Sequence, residues 1–468
     1  MGEKTMIFDI DKKNKDNTAL VDDSGEKITY GELCDFTVEF SEHIVKRTLA
    51  VVLSQNAIGS AMGYVAMLAN KIVPLMLGAK MDEELIDNML ETYQPEYIWM
   101  PETLENRWGF ECVWSKHSFQ LLKTNYTPYP MYEDLSLLLT TSGSTGSPKL
   151  VRHTYANIEC NARNIATFFE CDSTHKPILD LPINYTFGLS VLNSHLYAGG
   201  TILLTQKSVL NKEYWNLFRE QGATTITGVP YTYEMLDRVR FYTMDLPSLK
   251  IVTQGGGKLK DELYMKLAQY AIDTGRKFIP TYGQTEGTAR MAYLPYDIAI
   301  HKCGSIGRAV PNGKLSLVDD DGKEITQPNV VGEMVYEGPN VTLGYAQRGE
   351  DLILGDERHG KMATGDIAKF DEDGCYYILG RKRRFLKLFG TRIGLDETER
   401  LLRSNFDIDC ACTGEDNQMK IVVTTPDKEK EIKKWISEKT KINASAFCVQ
   451  YIEKIPRNEA GKILYGKL

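Results

Sequence analysis

A run of glycine, serine and threonine follows an apolar segment in the first third of the chain. Leu137–Thr140 is mostly leucine, and residues 141–149 read Thr-Ser-Gly-Ser-Thr-Gly-Ser-Pro-Lys. Glycine lets backbone N–H groups turn toward an anion, hydroxyls add donors, and a lysine adds positive charge. The run therefore predicts a loop that binds a polyphosphate. The candidate phosphate-binding residues are Thr141, Ser142, Gly143, Ser144, Thr145, Gly146 and Lys149.

This loop differs from the Walker loop of kinases and motor ATPases. A Walker loop places lysine directly after its second glycine, whereas Ser147 and Pro148 intervene here. A kinase or motor ATPase is therefore disfavoured.

Two further segments carry groups that suit a nucleotide. Residues 281–287 read Thr-Tyr-Gly-Gln-Thr-Glu-Gly and offer an aromatic face, a hydroxyl and a carboxylate. Residues 254–257 read Gln-Gly-Gly-Gly after an apolar run, and their glycines leave space for a flat ring. Each segment alone is a weak signal.

The last third of the chain adds short charged motifs. Thr364-Gly365-Asp366 and Gly380-Arg381 flank a predicted turn at Asp373-Gly374, and a short carboxylate such as Asp366 can accept both hydroxyls of a ribose. Residues 454–462, close to the carboxy terminus, read Lys-Ile-Pro-Arg-Asn-Glu-Ala-Gly-Lys.

Taken in this order, these segments resemble the motifs of the adenylate-forming superfamily, and the resemblance extends over nearly the whole chain. That superfamily contains acyl-CoA synthetases, adenylation domains of nonribosomal peptide synthetases, D-alanine–carrier protein ligases and beetle luciferase. The resemblance implies that the protein uses ATP and Mg²⁺ to convert a small carboxylic acid into an acyl-adenylate, with release of pyrophosphate. It also implies transfer of the acyl group to a phosphopantetheine thiol, either of CoA or of a carrier protein met in trans.

The resemblance also implies roles for single residues. Tyr282 matches the residue that stacks on adenine, and Thr285 the one that lies against the α-phosphate or the acyl carboxylate. Glu286 matches the Mg²⁺ ligand, and Lys462 matches the catalytic lysine that bridges the substrate carboxylate and the α-phosphate. The remaining nucleotide-binding candidates are Gly255, Gly256, Gly283, and, at the ribose, Asp366 and Arg381.

The acyl pocket is the part of the site that the resemblance defines least. Its candidates are Tyr185, Gly188, Tyr231, Gly256 and Arg290, with Asn193, Pro230 and Ala289 lining the rest. Amino-acid-activating members usually carry an aspartate where Gly188 stands. Because a buried unpaired ammonium is costly, its absence weighs against an α-amino acid. Arg290 either meets a polar or anionic group of the substrate or pairs with a nearby carboxylate.

The small-domain motifs depart from the usual pattern in places. Arg383 matches the hinge about which the small domain rotates, Gly390 the glycine beside the thiol tunnel, and Lys387 belongs to the same segment. Arg383 and Arg384 stand where acidic residues are common, and Asn458 and Ala460 where Thr and Ser are common. The basic run 381–387 is interpreted either as a solvated loop or as a surface for acidic partners.

Along the chain, apolar runs alternate with amphipathic stretches. This alternation predicts an α/β fold with largely parallel sheets. Strands are expected at 50–53, 71–75, 97–100, 135–140, 201–205, 224–227 and 249–252, and helices at 60–70 and 83–93. From about 304 to 380 the pattern predicts a small antiparallel β unit with Asp-Gly turns. We expect a large amino-terminal domain over 1–381 and a small mobile α+β domain over 382–468, with helices near 396–404 and 427–438.

Composition agrees with an ordinary globular enzyme. The chain has 468 residues, 42% hydrophobic and 25% charged, and a formal net charge of -8. An acidic chain argues against general nucleic-acid binding. The most apolar region, 49–68, is interrupted by Ser54, Gln55 and Asn56, so no membrane span is expected. Nine cysteines without a CxxC pair, and no signal-peptide pattern over residues 1–11, predict a cytoplasmic location.

Three alternatives stay open at this stage. One is an amino-acid-activating ligase for a carrier protein, and another is adenylation without thiol transfer or with transfer to an amine. The third is a catalytically inactive scaffold that binds nucleotide. The sequence leaves the acid, the thiol acceptor, the oligomeric state and the pathway undetermined.

Overall fold

The computed structural model describes residues 6–140, 149–382, 384–389, 391–458 and 461–468. Its α-helices are α1 (Tyr30–His43), α2 (Ile58–Ala69), α3 (Glu83–Tyr93), α4 (Tyr155–Phe169), α5 (Thr186–Ala198), α6 (Lys212–Gln221), α7 (Pro230–Arg238), α8 (Asp261–Asp273), α9 (Leu395–Phe406) and α10 (Glu429–Thr440).

The strands of the first half are β1 (Thr18–Val21), β2 (Lys27–Thr29), β3 (Leu49–Ser54), β4 (Val73–Gly78), β5 (Tyr97–Pro101), β6 (Glu111–Lys116), β7 (Phe119–Lys123), β8 (Leu135–Thr140), β9 (Leu150–Thr154), β10 (Pro177–Leu179), β11 (Ile202–Leu204) and β12 (Thr225–Gly228). The strands of the second half are β13 (Ile251–Gln254), β14 (Lys277–Tyr282), β15 (Ala292–Tyr293), β16 (Arg308–Ala309), β17 (Lys314–Val318), β18 (Glu324–Ile325), β19 (Gly332–Glu337), β20 (Gly344–Ala346), β21 (Lys361–Phe370), β22 (Tyr376–Arg381), β23 (Phe385–Leu388), β24 (Thr391–Gly394), β25 (Cys410–Glu415), β26 (Gln418–Val423) and β27 (Phe447–Tyr451).

The chain forms two compact units. The first consists of Met1–Lys314 with Glu337–Met362, and the second of Leu315–Tyr336 with Ala363–Leu468. The domain boundary expected at 381–382 refers to rotation of the small domain, and it stays a prediction.

One sheet of the first unit has nine strands in the order β16-β15-β14-β13-β12-β10-β11-β1-β2. Its centre, from β14 to β1, is parallel, and only its edges are antiparallel. Parallel strands buried on both faces need continuous apolar sequence, and β10, β11, β12 and β13 are buried throughout. The predicted α/β architecture is confirmed.

A second sheet of the first unit has eight strands in the order β20-β9-β8-β4-β3-β5-β7-β6. Strands β8 and β9 are antiparallel, with Thr140 opposite Leu150, so residues 141–149 connect the two strands of a hairpin. Strand β20 then pairs with β9 and places Tyr345 opposite Val151. A segment about 200 residues further along the chain is thereby brought beside β9, the strand that follows the predicted phosphate loop in sequence.

Helix α4 follows this hairpin directly and begins at a capping box. The Thr154 hydroxyl accepts a hydrogen bond from the backbone N–H of Asn157, and the Asn157 side chain accepts one from the N–H of Thr154. Such reciprocal bonds satisfy two donors that a helix start leaves unpaired. The cap fixes where β9 ends, and α4 packs against α5 in the same core.

Most of the second unit is a five-stranded sheet and a small α+β fold. The sheet has the order β18-β17-β19-β21-β22, and its hairpins turn at Asp321-Gly322 and Asp373-Gly374, where Gly322 and Gly374 have positive φ. Strands β25, β26 and β27 form a three-stranded sheet beside α9 and α10. The predicted antiparallel β unit and the small α+β fold are both confirmed.

Most predicted elements are found, with small shifts at their ends. The strand expected from Lys71 begins at Val73 instead, because Lys71 has a φ of 61° and the Ile72 N–H bonds back to the carbonyl of Met67 at the end of α2. The hairpin of β6 and β7 was not predicted from the sequence.

Candidate active site

The parallel strands β12, β13 and β14 end side by side. Gly228, Gln254 and Pro280 occupy neighbouring register positions on them. Ligands of open parallel sheets bind beyond the carboxyl ends of the strands. The predicted Gly255-Gly256 turn and the Tyr282–Glu286 segment both follow such ends, and residues 282–286 are half-buried. The sheet therefore brings two of the predicted motifs to one edge.

Close packing explains two glycines of this edge. A Cβ on Gly283 would lie 1.5 Å from the carbonyl oxygen of Ala289, and a Cβ on Gly255 would lie 2.8 Å from Cζ of Phe187. Neither position has room for a side chain. Gly256 has a φ of 76°, in the region that favours glycine.

The segment that carries Thr285 and Glu286 is clamped by residues 340–342. The Asn340 amide donates to the carbonyl of Gly287 at 2.7 Å, and the Thr342 N–H donates to the carbonyl of Glu286 at 3.0 Å. The Thr288 hydroxyl donates back to the carbonyl of Asn340 at 2.7 Å. These bonds fix the backbone that presents the Glu286 carboxylate.

Tyr345 connects the Glu286 carboxylate with the end of the phosphate loop. Its hydroxyl donates to Oε1 of Glu286 at 2.7 Å, and Nζ of Lys149 lies 3.4 Å from the centroid of its ring. Arg358 lies 4.7 Å from the same centroid. Burial raises the pKa of Tyr345 to about 12, and the nearby Glu286 carboxylate is the second largest cause of this shift. The hydroxyl therefore stays a donor at neutral pH. The arrangement groups a carboxylate with two cations.

Tyr345 and Arg358 were not predicted from the sequence. No motif marks either residue. Tyr345 reaches Glu286 because β20 pairs with β9, and Arg358 donates to the Glu286 carbonyl at 3.3 Å. The Gly344-Tyr345 dipeptide was the weak signal that the sequence offered. The structure explains its glycine, because Gly344 has a φ of 136° and an added Cβ would lie 2.3 Å from the Glu357 carboxylate.

A small cavity lies between α4, α5 and the segment after Glu286. Residues of all three line it, among them Asn161, Asn193, Thr288 and Ala289, together with His153 of β9. Two of the acyl-pocket candidates, Asn193 and Ala289, are thus wall residues of one cavity.

The cavity contains buried polar atoms that lack partners. Among the described residues, Nδ1 of His153 and Oδ1 of Asn193 have no hydrogen-bond partner. Burial lowers the pKa of His153 to about 4, and Nε2 of its ring lies 3.2 Å from the carbonyl oxygen of Thr285. A neutral histidine that donates through Nε2 presents Nδ1 as an acceptor. The cavity therefore has a polar side next to the Thr285 segment.

The other acyl-pocket candidates occupy different environments. Tyr185 precedes α5 and is half-buried, whereas Tyr231 of α7 is 43% exposed. Gly188 is buried in the first turns of α5, and its added Cβ would lie 2.4 Å from the carbonyl oxygen of Pro182. Packing alone therefore requires a glycine at position 188, whatever the effect of this residue on substrate choice.

In the second unit, Asp366 and Arg381 face each other across β21 and β22. They are directly paired in register, and Nε of Arg381 lies 2.8 Å from Oδ1 of Asp366. Asp366 is buried, while the side chain of Arg381 is 47% exposed. The two residues assigned to the ribose from sequence therefore form one ion pair.

The basic run after Arg381 is held by carboxylates of the same unit. Lys382 pairs with Glu333 at 2.7 Å. Arg384 pairs with Asp396 and Glu399 and also donates to the carbonyl of Cys412. For these residues the solvated-loop interpretation and the partner-surface interpretation are both too simple, because the cations have internal partners.

Lys462 lies on an exposed turn that Asn458 organises. The Asn458 side chain accepts from the Lys462 N–H at 2.9 Å, and the Asn458 N–H donates to the Lys462 carbonyl at 2.8 Å. Asn458, one of the departures from the family pattern, therefore serves the local turn that presents the predicted catalytic lysine.

Several candidates lie outside the described residues. They are Thr141, Ser142, Gly143, Ser144, Thr145, Gly146, Arg383 and Gly390, together with the side chain of Lys387. Their assigned roles stay predictions.

The Glu286 side chain suits a magnesium ion. Mg²⁺ in nucleotide enzymes is held by one or two carboxylates plus substrate phosphates, so a full protein cage is unnecessary. Among the residues that the structure describes, no group of three or more His, Cys, Asp or Glu side chains forms such a cage. A single carboxylate fixed by a tyrosine hydroxyl matches that requirement.

The edge of parallel strands and the fixed carboxylate are typical of an enzyme that uses a nucleotide, and comparison with known sequences shows the family. The chain belongs to the AMP-binding enzyme family, whose sequence model matches residues 8–346. The resemblance to adenylate-forming enzymes is thereby confirmed.

Individual relatives are acid–CoA ligases. The chain is 28% identical over 411 residues to a long-chain-fatty-acid–CoA ligase of Escherichia coli O157:H7, with 80% of this chain and 67% of that protein aligned. It is 30% identical over 281 residues to an oxalate–CoA ligase of Arabidopsis thaliana, covering 59% of this chain and 54% of that protein. Some of the curated relatives are thus matched over little more than half of their own length.

A solved structure shows the same fold. The o-succinylbenzoate coenzyme A synthetase of Bacillus subtilis, in complex with ATP and magnesium ion, superimposes with a TM-score of 0.81 at 21% identity, covering 99% of each chain. No helix within the described ranges is long and apolar enough to cross a membrane.

Proposed function

We propose that this protein is an AMP-forming acid–thiol ligase. ATP reacts with a small carboxylic acid to give an acyl-adenylate and pyrophosphate, and the acyl group then passes to the thiol of CoA. Family membership and acid–CoA ligase relatives support the reaction. The observation that carries the proposal is the grouping of Glu286, Tyr345 and Lys149 at the hairpin that bears the phosphate loop.

The first reaction brings two anions together, so its main demand is fixed positive charge. Preorganised donors and cations stabilise charge that develops in a transition state, because they need no reorganisation as the reaction proceeds. In our proposal the loop 141–149 binds the β- and γ-phosphates. Glu286 would hold Mg²⁺, which supplies charge neutralisation to the leaving pyrophosphate when bound.

The other roles follow from the family resemblance. Tyr282 contacts adenine, Asp366 and Arg381 bind the ribose, and Lys462 contacts the carboxylate and the α-phosphate at the point of bond formation. Thr285 orients the same reacting groups. The described histidines need not act as a base, since a carboxylate attacks without losing a proton.

The second reaction transfers the acyl group to a thiol. CoA is favoured because similar curated proteins include CoA ligases for long-chain fatty acids, oxalate and 2-succinylbenzoate. A phosphopantetheinyl carrier protein in trans is the alternative acceptor. Arg383, Lys387 and Gly390 are proposed to belong to the hinge and the thiol tunnel. We also propose a cytoplasmic location, where ATP and CoA are available.

Pyrophosphate exchange into ATP tests the first reaction. The purified protein should incorporate labelled pyrophosphate into ATP only when Mg²⁺ and a suitable carboxylic acid are present. Repeating the assay with CoA, and separately with a carrier protein, distinguishes the acceptors by the thioester formed. Binding of ATP without exchange for any acid in a broad panel would instead indicate a nucleotide-binding scaffold.

A further inference from the structure

The two fully buried arginines of the first unit differ in their partners. Arg152 donates to the carbonyls of Tyr345 and Gly355 and pairs with Glu357. Arg290 is equally buried, with 1% of its surface exposed, yet none of its three guanidinium nitrogens has an acceptor in the described part of the chain. The first is a satisfied structural arginine, and the second is an uncompensated cation.

Within the described ranges, no carboxylate forms an ion pair with Arg290. Its guanidinium carbon lies 4.8 Å from the ring centroid of Phe169 and 5.1 Å from that of Phe187. The titratable groups that interact with it from the packed elements are Cys171, Tyr233 and His195. Burial raises the pKa of Cys171 and Tyr233 and lowers that of His195, so all three stay neutral at neutral pH. Burial lowers the pKa of Arg290 to about 9, so it remains a cation at neutral pH.

An isolated buried cation is expensive. Removing one partner from a buried ion pair costs several kcal/mol, because the other charge is left uncompensated. Contacts with aromatic rings offset only part of this cost. A folded protein that keeps such a cation is stabilised when an anion from outside pairs with it.

Arg290 belongs to the same short segment as the predicted catalytic residues. It lies four residues after Glu286, and the two residues before it, Thr288 and Ala289, have φ values of 45° and 72° and line the cavity. Such left-handed conformations cost free energy and are retained where they position a functional group. The strained turn directs Arg290 into the interior.

Phe187 joins Arg290 to the predicted acyl pocket. One side of the ring lies against Arg290, and its Cζ is so near Gly255 that an added Cβ would be 2.8 Å away. Its neighbour Thr186 lines the cavity. The Phe187 ring is thus shared between the Arg290 guanidinium and Gly255, at the strand end where the acid is proposed to bind.

We propose that the acid is a small dicarboxylic acid, of which one carboxylate reacts with ATP and the other pairs with Arg290. This inference rests on the proposed acid-activating function and specifies its substrate class. A long alkyl chain would leave the guanidinium unpaired, and an α-amino acid would place a second cation near it.

The test compares chain-matched acids in pyrophosphate exchange. For the unmodified protein, succinate or glutarate should give a kcat/KM about 30-fold or more above butyrate or valerate, the smallest loss expected when one partner of a buried charge pair is missing. In Arg290→Met the preference should disappear, because the diacid loses its partner and the monoacid fits an apolar wall. Arg290→Lys should retain part of it.

Thermal unfolding supplies a readout that needs no turnover. Arg290→Met should have a Tm equal to or above that of the unmodified protein, since an uncompensated cation is removed, whereas Arg152→Met should have a lower Tm. With a non-hydrolysable ATP analogue present, succinate should raise the Tm of the unmodified protein and butyrate should not. Arg290→Met should lose the response to succinate.

The outcomes separate this inference from the proposed function. Exchange that is equally efficient with monoacids, and falls equally for all acids in Arg290→Met, would overturn the dicarboxylate inference and leave the ligase function intact. Absence of exchange with every acid would overturn the ligase function. In that case a succinate-specific rise in Tm would still support an anion site at Arg290. If succinate did not raise the Tm, the Arg290 site would be overturned as well.

Discussion

The hydroxyl of Tyr345 donates a 2.7 Å hydrogen bond to the Glu286 carboxylate, although 58 residues separate the two in the chain. One carboxylate oxygen is thereby oriented, and the carboxylate is left able to bind a cation through its remaining lone pairs. Partners that orient a metal-binding carboxylate typically contribute 10- to 100-fold in metal affinity or activity.

Tyr345→Phe should therefore raise the Mg²⁺ concentration needed for half-maximal pyrophosphate exchange by about 10-fold or more. The ring remains, so its contacts with Lys149 and Arg358 are preserved, and KM for the acid should change little. Tyr264→Phe is the matched control, because its hydroxyl donates to the carbonyl of Ala299 in the same unit. An unchanged Mg²⁺ dependence in Tyr345→Phe would show that the bond has no such role.

Gly283→Ala should disrupt the segment that presents Thr285 and Glu286. The new methyl group would meet the Ala289 carbonyl, a backbone atom that cannot rotate away. We expect the free energy of unfolding to fall by about 1–3 kcal/mol and exchange to be largely lost. Gly355→Ala is the control, since its added Cβ has only an ordinary contact at 3.8 Å. Normal exchange by Gly283→Ala would mean that the loop has another active conformation.

Gly188→Asp should not create an amino-acid-activating enzyme. The added side chain would begin 2.4 Å from the Pro182 carbonyl, so the variant should unfold at a lower temperature, and Gly188→Ala should do the same. The measurement is thermal unfolding together with exchange using α-amino acids. A stable Gly188→Asp that activates an α-amino acid would show that this position opens into the pocket after all.

Acid should destabilise the first unit through two buried histidines. Burial lowers the pKa of His153 to about 4 and that of His195 to about 3. Between pH 6.5 and 4 the unfolded chain binds protons that the folded chain refuses, so stability falls as pH falls. The loss should be on the order of 3 kcal/mol per histidine at pH 4.

Urea unfolding at pH 7, 5.5 and 4 measures this loss. His153→Gln and His195→Gln should each make the free energy of unfolding less dependent on pH over that range. If the pH dependence of either variant equals that of the unmodified protein, the corresponding histidine is not the source.

The fold was largely predictable because its strands are apolar and its helices amphipathic. Strand β8 and helix α3 begin and end where the apolar pattern does. Strand β6 was missed because its exposed and half-buried residues carry little apolar signal. Its pairing with β7 depends on tertiary structure, which a local sequence pattern does not predict.

Site residues were predictable where the motif is local. Asp366 and Arg381 were predicted together, and the turn at Asp373-Gly374 makes them neighbours across β21 and β22. Tyr345 was missed because only sheet pairing brings it to Glu286. Arg384 was misinterpreted for a similar reason, since its partners Asp396 and Glu399 lie on α9.

Lys462→Ala should separate adenylation from thioester formation, because that lysine is predicted to act only while the acid and the α-phosphate join. The two half-reactions are measured separately, as pyrophosphate exchange and as thioester formation from a supplied acyl-adenylate and CoA, with Lys467→Ala as the control in the same segment. We expect exchange to fall by about 10²–10³-fold while thioester formation from the adenylate persists. Equal loss of both half-reactions, or exchange that survives the substitution, would contradict this expectation.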